Sequence, residues 1–292
     1  MTLAVVLALI VLVNCFFALR FFQDLLAHRS TFMKEPGHPI ALALSSFVIF
    51  LLSTFGISDF AICSSLYPKL KWVTAKKLPG TLNTECVIPV AVMALCYISA
   101  ISVDITTLLA AIGCQVTGAY LSPRFVVRLP ANIIKRFVAL GLFVAAALIL
   151  AGKFGIFPSG GIATGLSGNK LLLFSFLCFI YGALNNIGIG SYPLTMATVY
   201  AMGLSPVAAF PIMMGACTFS VPVGAMQFIK LDGYSRKITF FTSTFGVIGV
   251  LIAALVVKSL NIAMLQWIVL IVILYSALTM LYSSTKNNSG EE

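Results

Sequence analysis

The stretch Asn185-Asn186-Ile187-Gly188-Ile189-Gly190-Ser191 separates two apolar runs, and an earlier stretch, Gly56-Ile57-Ser58-Asp59, separates another two in the same way. Glycine, asparagine and serine interrupt a helix at such positions, because they favour turns and caps over continued helical hydrogen bonding. Each stretch therefore predicts a pair of helices with a break between them.

The composition around these breaks is that of a membrane protein. Of 292 residues, 60% are hydrophobic and 9% are charged, and the mean hydropathy is +1.08. A soluble domain carries about 25% charged residues. At about 20 residues per crossing, a chain of this length has room for about seven to ten helices and for no extramembrane domain. A water-soluble globule is excluded.

Apolar runs and breakers predict the helices one by one. The first run lacks a basic start and a small-residue cleavage site, so we interpret it as a retained helix and not as a signal peptide. The predicted helices cover residues 2–20, 39–57, 60–68, 83–100, 104–122, 132–151, 170–185, 192–202, 207–229, 238–257 and 263–282.

The second half of the chain repeats the order of the first. At an offset of 133 residues Pro89 aligns with Pro222 and Gly113 with Gly246, and at 132 Gly56 aligns with Gly188. We therefore divide the chain into an N-terminal helix with a basic loop (1–38), a first repeat (39–152), a Gly-rich linker (153–168), a second repeat (169–284) and a disordered tail (285–292).

The net charge of +10 reflects membrane orientation. If each broken pair returns to the side it entered, 15 of the 18 Lys and Arg fall on one face. The positive-inside rule then places the N-terminus outside and the C-terminus in the cytoplasm of a plasma-membrane protein. Bases in short loops do not indicate nucleic-acid binding. Each repeat contains a broken pair that returns to its own side and three further crossings. The number of net crossings per repeat is therefore odd, so the second repeat is inverted relative to the first. The predicted fold is an all-α, polytopic membrane protein with two inverted repeats and one extra N-terminal helix.

Broken helices at membrane depth line a cavity, because only protein or water can cover their free backbone groups. Helix N-termini, amides and hydroxyls there suit a small anion. The alternative interpretation is tight helix packing and helix capping. The predicted substrate-binding residues are those of the breaks and of the helix starts that follow: Ser58, Asp59, Ser64, Ser65, Asn83, Thr84, Asn185, Asn186, Gly188, Gly190, Ser191 and Thr218.

Two acids, Glu85 and Asp59, are predicted at membrane depth and are candidates for binding a coupling proton or sodium ion. An interfacial position for Glu85 and a capping role for Asp59 are equally compatible with the sequence. His28 and His38 have no Glu or Cys at ligand spacing, so no metal site is predicted. No nucleophile, Walker or dinucleotide motif is found, so we expect neither an enzyme nor a cofactor.

The chain resembles the TauE/SafE sulfite-exporter family of membrane permeases. The residues that carry the resemblance are the two breaks with Ser64, Ser65 and Pro68, the segment Gly80-Thr81-Leu82-Asn83, and the stretches 249–260 and 265–275. It covers residues 40–284, although Ser and Cys replace most of the family's first glycine run at 63–65. The resemblance implies transport, usually outward, of sulfite, an organosulfonate such as sulfoacetate, or a related sulfur anion.

The predicted function is therefore a secondary transporter, and export is the predicted direction, inferred from the family and from a membrane potential that is negative inside. An anion channel is one alternative, and a thiol relay through Cys63, Cys86 and Cys217 is another. The expected partners are a small anionic substrate and the lipid bilayer, with monomer and homodimer both left open.

Overall fold

A computed structural model describes residues 2–54, 59–97, 103–156, 163–204 and 206–256, together with Leu274 and Leu278. Across these residues the chain is built from α-helices, with no strand beyond an isolated bridge between Ala163 and Leu204. The helices are α1 (Thr2–Ala27), α2 (Pro39–Thr54), α3 (Asp59–Lys69), α4 (Leu78–Tyr97), α5 (Ile105–Leu121), α6 (Pro123–Val126), α7 (Ala131–Lys153), α8 (Gly168–Asn185), α9 (Ser191–Ala201), α10 (Pro206–Lys230), α11 (Arg236–Phe241) and α12 (Val247–Val256).

Six of the described segments are long and apolar enough to cross a membrane. Buried residues make up 83% of the α4 span and 78% of the α10 span, against 28% in both α1 and α8. The central helices are therefore α4 and α10. Leucine and phenylalanine side chains on the outer faces of α1 and α8 are exposed, as expected of a surface that faces lipid tails. The protein is an all-α, multi-pass membrane protein.

The packing pairs elements from the two halves of the chain. Helices α4 and α10 pack against each other, α5 packs along α8, and α12 packs along α2. Glycines permit the contact between α5 and α8. A Cβ atom on Gly118 would lie 2.1 Å from the Phe179 carbonyl oxygen, and a Cβ atom on Gly182 would lie 2.1 Å from the Gln115 carbonyl oxygen. A side chain at either position would separate the two backbones.

The broken pair α8 and α9 is a helical hairpin whose two ends lie at the same end of the bundle. Lys170 near the start of α8 donates to the Met202 carbonyl just after α9, at 3.4 Å, and Ala163 pairs with Leu204. The turn between α8 and α9 lies deep in the bundle, where Gly188 adopts a φ of +100° and packs against Val138. Residues 55–58, which separate α2 from α3 in the sequence, lie outside the described residues.

Four loops rich in Lys and Arg meet at one end of the bundle, which we call the basic end. Glu35 accepts from the Ser235 hydroxyl at 2.6 Å, Lys77 lies 3.9 Å from Asp232, and Gly233 packs near Val127. These contacts join the loops before α2, before α4, before α7 and before α11.

A buried charge cluster fastens α1 to this end. Arg236 donates to Asp24 at 2.7 Å and lies 2.8 Å from Asp232, and its guanidinium lies 5.3 Å from the centre of the Tyr234 ring. Tyr234 also donates to Asp24. Burial, and next the hydrogen bond to Asp24, raise the pKa of Tyr234, so this hydroxyl stays a donor.

The helix bounds differ from the predicted ones at three places. Helix α1 runs past Arg20 to Ala27, because Asp24 and its neighbours are held by the charge cluster. Helix α4 begins at Leu78, before Pro79 and Gly80, because proline is tolerated in a first helical turn. A π-helix, Thr242–Gly246, joins α11 to α12. The predicted helix at 263–282 and the tail at 285–292 lie outside the described residues, apart from Leu274 and Leu278.

Candidate functional site

Two asparagines from opposite halves of the chain form an amide pair in the interior. The Asn185 Nδ2 donates to the Asn83 Oδ1 at 2.9 Å, and the Asn83 Nδ2 donates to the Asn185 carbonyl oxygen at 3.1 Å. Asn185 ends α8 at the deep turn, and its Oδ1 accepts from the Ser191 backbone N–H at 3.2 Å. Asn83, Asn185 and Ser191, three of the predicted residues, are therefore brought together.

A glutamine extends this group across the bundle. The Gln115 Nε2 donates to the Ser191 hydroxyl at 3.1 Å and to the Ser220 hydroxyl at 3.0 Å, and it lies 3.7 Å from the Cys217 sulfur. The Ser191 hydroxyl and the Cys217 thiol are 3.3 Å apart. We call Asn83, Gln115, Asn185, Ser191, Cys217 and Ser220 the polar seam; its members come from α4, α5, α8, α9 and α10.

The hydrogen bonding of the seam leaves capacity for a ligand. Because Gln115 donates to both serine oxygens, each hydroxyl hydrogen points elsewhere. Ser220 has only the Cys217 carbonyl at 3.5 Å, and Ser191 has only the thiol, so both donors have weak acceptors among the described residues. The Gln115 Oε1 is buried and has no partner within the described part of the chain. A buried polar group with unsatisfied hydrogen bonds destabilises the folded protein unless a ligand or a water molecule supplies the missing partner.

The seam lies near the middle of the bundle. With a rise of about 1.5 Å per residue, Gln115 is about 15 Å from the start of α5 and Cys217 is about 17 Å from the start of α10. Helix α10 has 25 residues, so Cys217 is close to its centre. All six side chains of the seam are buried. This is the depth at which transporters of the broken-helix type bind their substrates.

The two predicted acids lie on the other side of α4. The Tyr67 hydroxyl donates to the Glu85 Oε2, and the Cys63 thiol lies near this carboxyl group. The Asp59 Oδ1 accepts from the Ser53 hydroxyl at 3.3 Å. Asp59 lies within electrostatic range of Glu85 and of the Cys217 thiol, which belongs to the polar seam.

The remaining predicted residues are not part of the seam. Asn186 donates to the Ala119 carbonyl at 2.7 Å and to the Ser122 hydroxyl at 2.8 Å, which anchors the deep turn to α5. The Thr84 hydroxyl pairs with that of Thr239 at 2.7 Å. Two hydroxyls bond within their own helix: Thr218 donates to the Met214 carbonyl and Ser64 to the Ala61 carbonyl. Ser65 is half-buried on α3, and Gly188 and Gly190 lie in the deep turn. Ser58 lies outside the described residues.

Sequence reasoning missed Gln115, Ser220 and Tyr67. Gln115 is the one strongly polar side chain within the apolar helix Ile105–Leu121 apart from threonines, and it is fully buried. An uncharged polar residue in a membrane helix is a signal for an interior position. Ser220 lies one turn from Cys217, so its place beside Gln115 depends on how α10 packs against α5.

No group of three or more His, Cys, Asp and Glu side chains that could hold a metal ion occurs among the described residues. Within those residues the polar seam contains amides, hydroxyls and a thiol, and no charged side chain. Such a set suits hydrogen bonding to a small polar or anionic molecule better than metal coordination.

Comparison with known proteins gives no relative: no family model, no curated protein and no solved structure matches the chain.

Proposed function

We propose that the protein is a secondary transporter that binds a small oxoanion at the polar seam and exposes it alternately to the two sides of the membrane. The observation that carries this proposal is the buried Gln115, whose amide donates to two serine hydroxyls and leaves their hydrogens with only weak acceptors. Neutral donors in a preformed interior site bind an anion without requiring a buried countercharge.

Support for an inverted repeat comes from the exchange of helices between the halves. Helix α5 of the first half packs along α8 of the second, and α12 of the second packs along α2 of the first. The central helices α4 and α10 pack against each other. This reciprocal pattern is expected of two modules related by an axis in the membrane plane, which is the arrangement that permits alternating access by rocking.

We propose a sulfur oxoanion, such as sulfite or sulfoacetate, as the substrate class. The resemblance to the TauE/SafE family implies this class, and the seam adds a compatible set of donors. We orient the basic end toward the cytoplasm, in accordance with the positive-inside rule. The same resemblance implies outward transport, so we propose export as the direction.

A thiol relay is a second candidate function, favoured by the position of Cys217 inside the seam. Its sulfur lies 3.3 Å from the Ser191 hydroxyl and 3.7 Å from the Gln115 amide. The variant Cys217→Ser separates the two functions. Transport that persists in this variant supports non-covalent binding, whereas complete loss with an unchanged melting temperature supports the relay.

The experiment that tests the proposed function is a thermal-stability panel on the detergent-purified protein, with sulfite, sulfoacetate, isethionate, taurine, sulfate, acetate and chloride. A ligand at 100 times its Kd stabilises the folded state by about 2.7 kcal/mol. We expect stabilisation by sulfite or a sulfonate and none by chloride or acetate. An equal response to all anions, or no response to any, contradicts a specific sulfur-anion site.

A further inference from the structure

Glu85 is the most deeply buried acid among the described residues, and its hydrogen-bonding capacity is unfilled. Its side chain is fully buried on α4, and one oxygen, Oε2, accepts from the Tyr67 hydroxyl. The other oxygen, Oε1, has no partner among the described residues. The Asp59 Oδ2 is unpartnered in the same sense. Two carboxyl groups in one apolar interior therefore each present a free oxygen.

Among the described residues, no cation lies close enough to Glu85 to compensate an ionised carboxylate. The titratable groups that face it are Tyr67, Cys63 and Asp59, all on α3. Helices α1, α10, α11 and α12 and the π-helix Thr242–Gly246 also pack against α4. On α10, the Cys217 thiol lies within electrostatic range of Cys86. The bases of α11 are engaged at the basic end: Arg236 with Asp24 and Asp232, and Lys237 with Glu35 and Gly37.

A proton fits this environment better than a metal cation does. The Tyr67 hydroxyl donates to the carboxyl group and the Cys63 thiol lies near it, whereas a sodium ion requires a shell of oxygen acceptors. The described residues contain no group of three or more acidic, cysteine or histidine side chains that could hold a metal ion. An unpaired buried carboxylate is strongly disfavoured, and protonation removes its charge without any further ligand.

A cavity at the basic end approaches this carboxyl group through two aromatic side chains. A cavity of about 610 Å³ opens there and is lined by Trp72, Val73, Lys77 and Ser235, among others. The Trp72 ring lies 6.0 Å from the Tyr67 ring, centre to centre. Glu85 is seven residues into α4, which is about 10 Å from the basic end. Tyr67 therefore contacts Glu85 through its hydroxyl and packs beside Trp72, which lines the cavity.

We propose that Glu85 is the proton-binding site that couples transport to the proton gradient, with Tyr67 as the residue that positions its carboxyl group. Loading breaks an O–H bond of a hydronium ion and forms one at the Glu85 Oε1, and release reverses this transfer with no redox change. A neutral Glu85 removes a repulsive charge from the interior that an anion must enter. One proton then accompanies each monoanion, and net transport of a monoanion is electroneutral.

This inference rests on the proposed function, and the experiment separates the two. Proteoliposomes are assayed for exchange of labelled sulfite with equal sulfite on both sides, and for net sulfite uptake driven by a pH gradient with proton movement recorded by an internal dye. The variant Glu85→Gln mimics the protonated acid. We expect its exchange to stay within about twofold of wild type while gradient-driven uptake and the linked proton movement fall at least tenfold.

The control variant Asp104→Asn replaces an acid at the other end of the bundle and keeps an N-cap residue on α5, so both assays should match wild type. The variant Tyr67→Phe keeps the ring and removes the hydroxyl donor. Because the ionised carboxylate then loses its hydrogen bond, we expect the pH profile of exchange to move toward higher pH, a change that a packing defect would not produce.

Three results overturn the inference. Gradient-driven uptake that persists in Glu85→Gln removes Glu85 as the coupling site, and exchange that is lost at an unchanged melting temperature shows that the neutral side chain cannot stand for the protonated acid. An unmoved pH profile in Tyr67→Phe removes the positioning role, and this arm holds even if Glu85→Gln does not fold. Absence of sulfite exchange in the wild type instead rejects the proposed function, and the coupling inference falls with it.

Discussion

A single amide side chain organises the proposed site at the residue scale. Gln115 contacts residues of α9 and α10 that are 76 and 105 positions away in sequence. Those contacts exist only because α5 packs against both the α8–α9 hairpin and the central helix α10. The sequence singled out Asn83, at a predicted helix start, and Asn185, at a helix break, as candidate binding residues. Gln115 was not singled out, because nothing in its own helix indicates what it faces.

Replacing Gln115 by leucine should abolish sulfite exchange in proteoliposomes, with a decrease of at least about tenfold, which corresponds to about 1.4 kcal/mol of binding or barrier free energy. Leucine fills a similar volume but removes the amide that orients Ser191 and Ser220. The matched control is Thr117→Val, two residues away on the exposed face of α5. Wild-type exchange in Gln115→Leu contradicts the site assignment.

The amide pair of Asn83 and Asn185 should be energetically coupled. Each single change to alanine leaves a buried amide of the partner unsatisfied and should lower the free energy of unfolding by about 1–3 kcal/mol. The double variant removes both groups, so its loss should be smaller than the sum by about 1 kcal/mol. The measurement is a double-mutant cycle from denaturant unfolding in detergent, and strict additivity would refute the direct interaction.

Contacts between backbones determine the structure at the element scale. The glycines of α5 and α8 allow the two helices to approach within van der Waals distance of each other's carbonyls. The sequence predicts both helices correctly within a few residues. It does not tell which glycine meets a neighbour, because Gly113 and Gly118 lie in the same helix and only Gly118 faces α8. The predicted start of α4, residue 83, lies after Gly80, whereas the helix begins at Leu78. Gly80 lies inside the helix, where it allows the close approach of the Gly233 carbonyl.

Two substitutions on α5 test this packing with the same chemistry. A Cβ atom on Gly118 would lie 2.1 Å from the Phe179 carbonyl oxygen, whereas one on Gly113 meets nothing within 4 Å among the described residues. Gly118→Ala should therefore lower stability by about 3 kcal/mol. Gly113→Ala should be neutral or stabilise by up to about 1 kcal/mol, through helix propensity. The measurement is the unfolding midpoint in detergent, and equal effects would contradict the parallel packing of α5 on α8.

The charge cluster that fastens α1 to α11 should also contribute strongly. The Arg236 side chain is 7% exposed and that of Asp24 is 15% exposed, so Asp24→Ala leaves a largely buried guanidinium with one partner fewer. We expect a loss of about 3 kcal/mol or more. Lys77→Ala removes a solvent-exposed partner of Asp232 at 3.9 Å and should change stability by less than about 1 kcal/mol. A thermal-unfolding comparison in which both variants behave alike would argue against a fastening role for the cluster.

The arrangement of the whole molecule follows from hydropathy, charge and duplication taken together. Composition alone predicts a multi-pass helical protein, and the described helices confirm this. The loops that were predicted to share a face meet at the basic end. The exchange of helices between halves was not predictable, because a repeat detected in sequence does not say whether a helix packs within its own module or on the other one.

Cysteine labelling tests the proposed orientation in whole cells. Lys76 lies exposed at the basic end, and Phe154 is exposed where α7 has finished its crossing. An impermeant maleimide should label Phe154→Cys in intact cells and Lys76→Cys only after permeabilisation. The background variant carries serine at the exposed native Cys15 and Cys96. Labelling of Lys76→Cys in intact cells would reverse the orientation and with it the proposed direction of export.

The central claim is that the polar seam binds one small anion at a time and presents it to the two sides in turn. Counterflow tests it most directly: proteoliposomes loaded with unlabelled sulfite are diluted into labelled sulfite, and entry of label is followed over a range of external concentrations. We predict transient accumulation of label above its external level, saturation with concentration, and loss of both in Gln115→Leu but not in Thr117→Val. Label entry that stays proportional to concentration and never exceeds the external level would identify a channel and contradict the account.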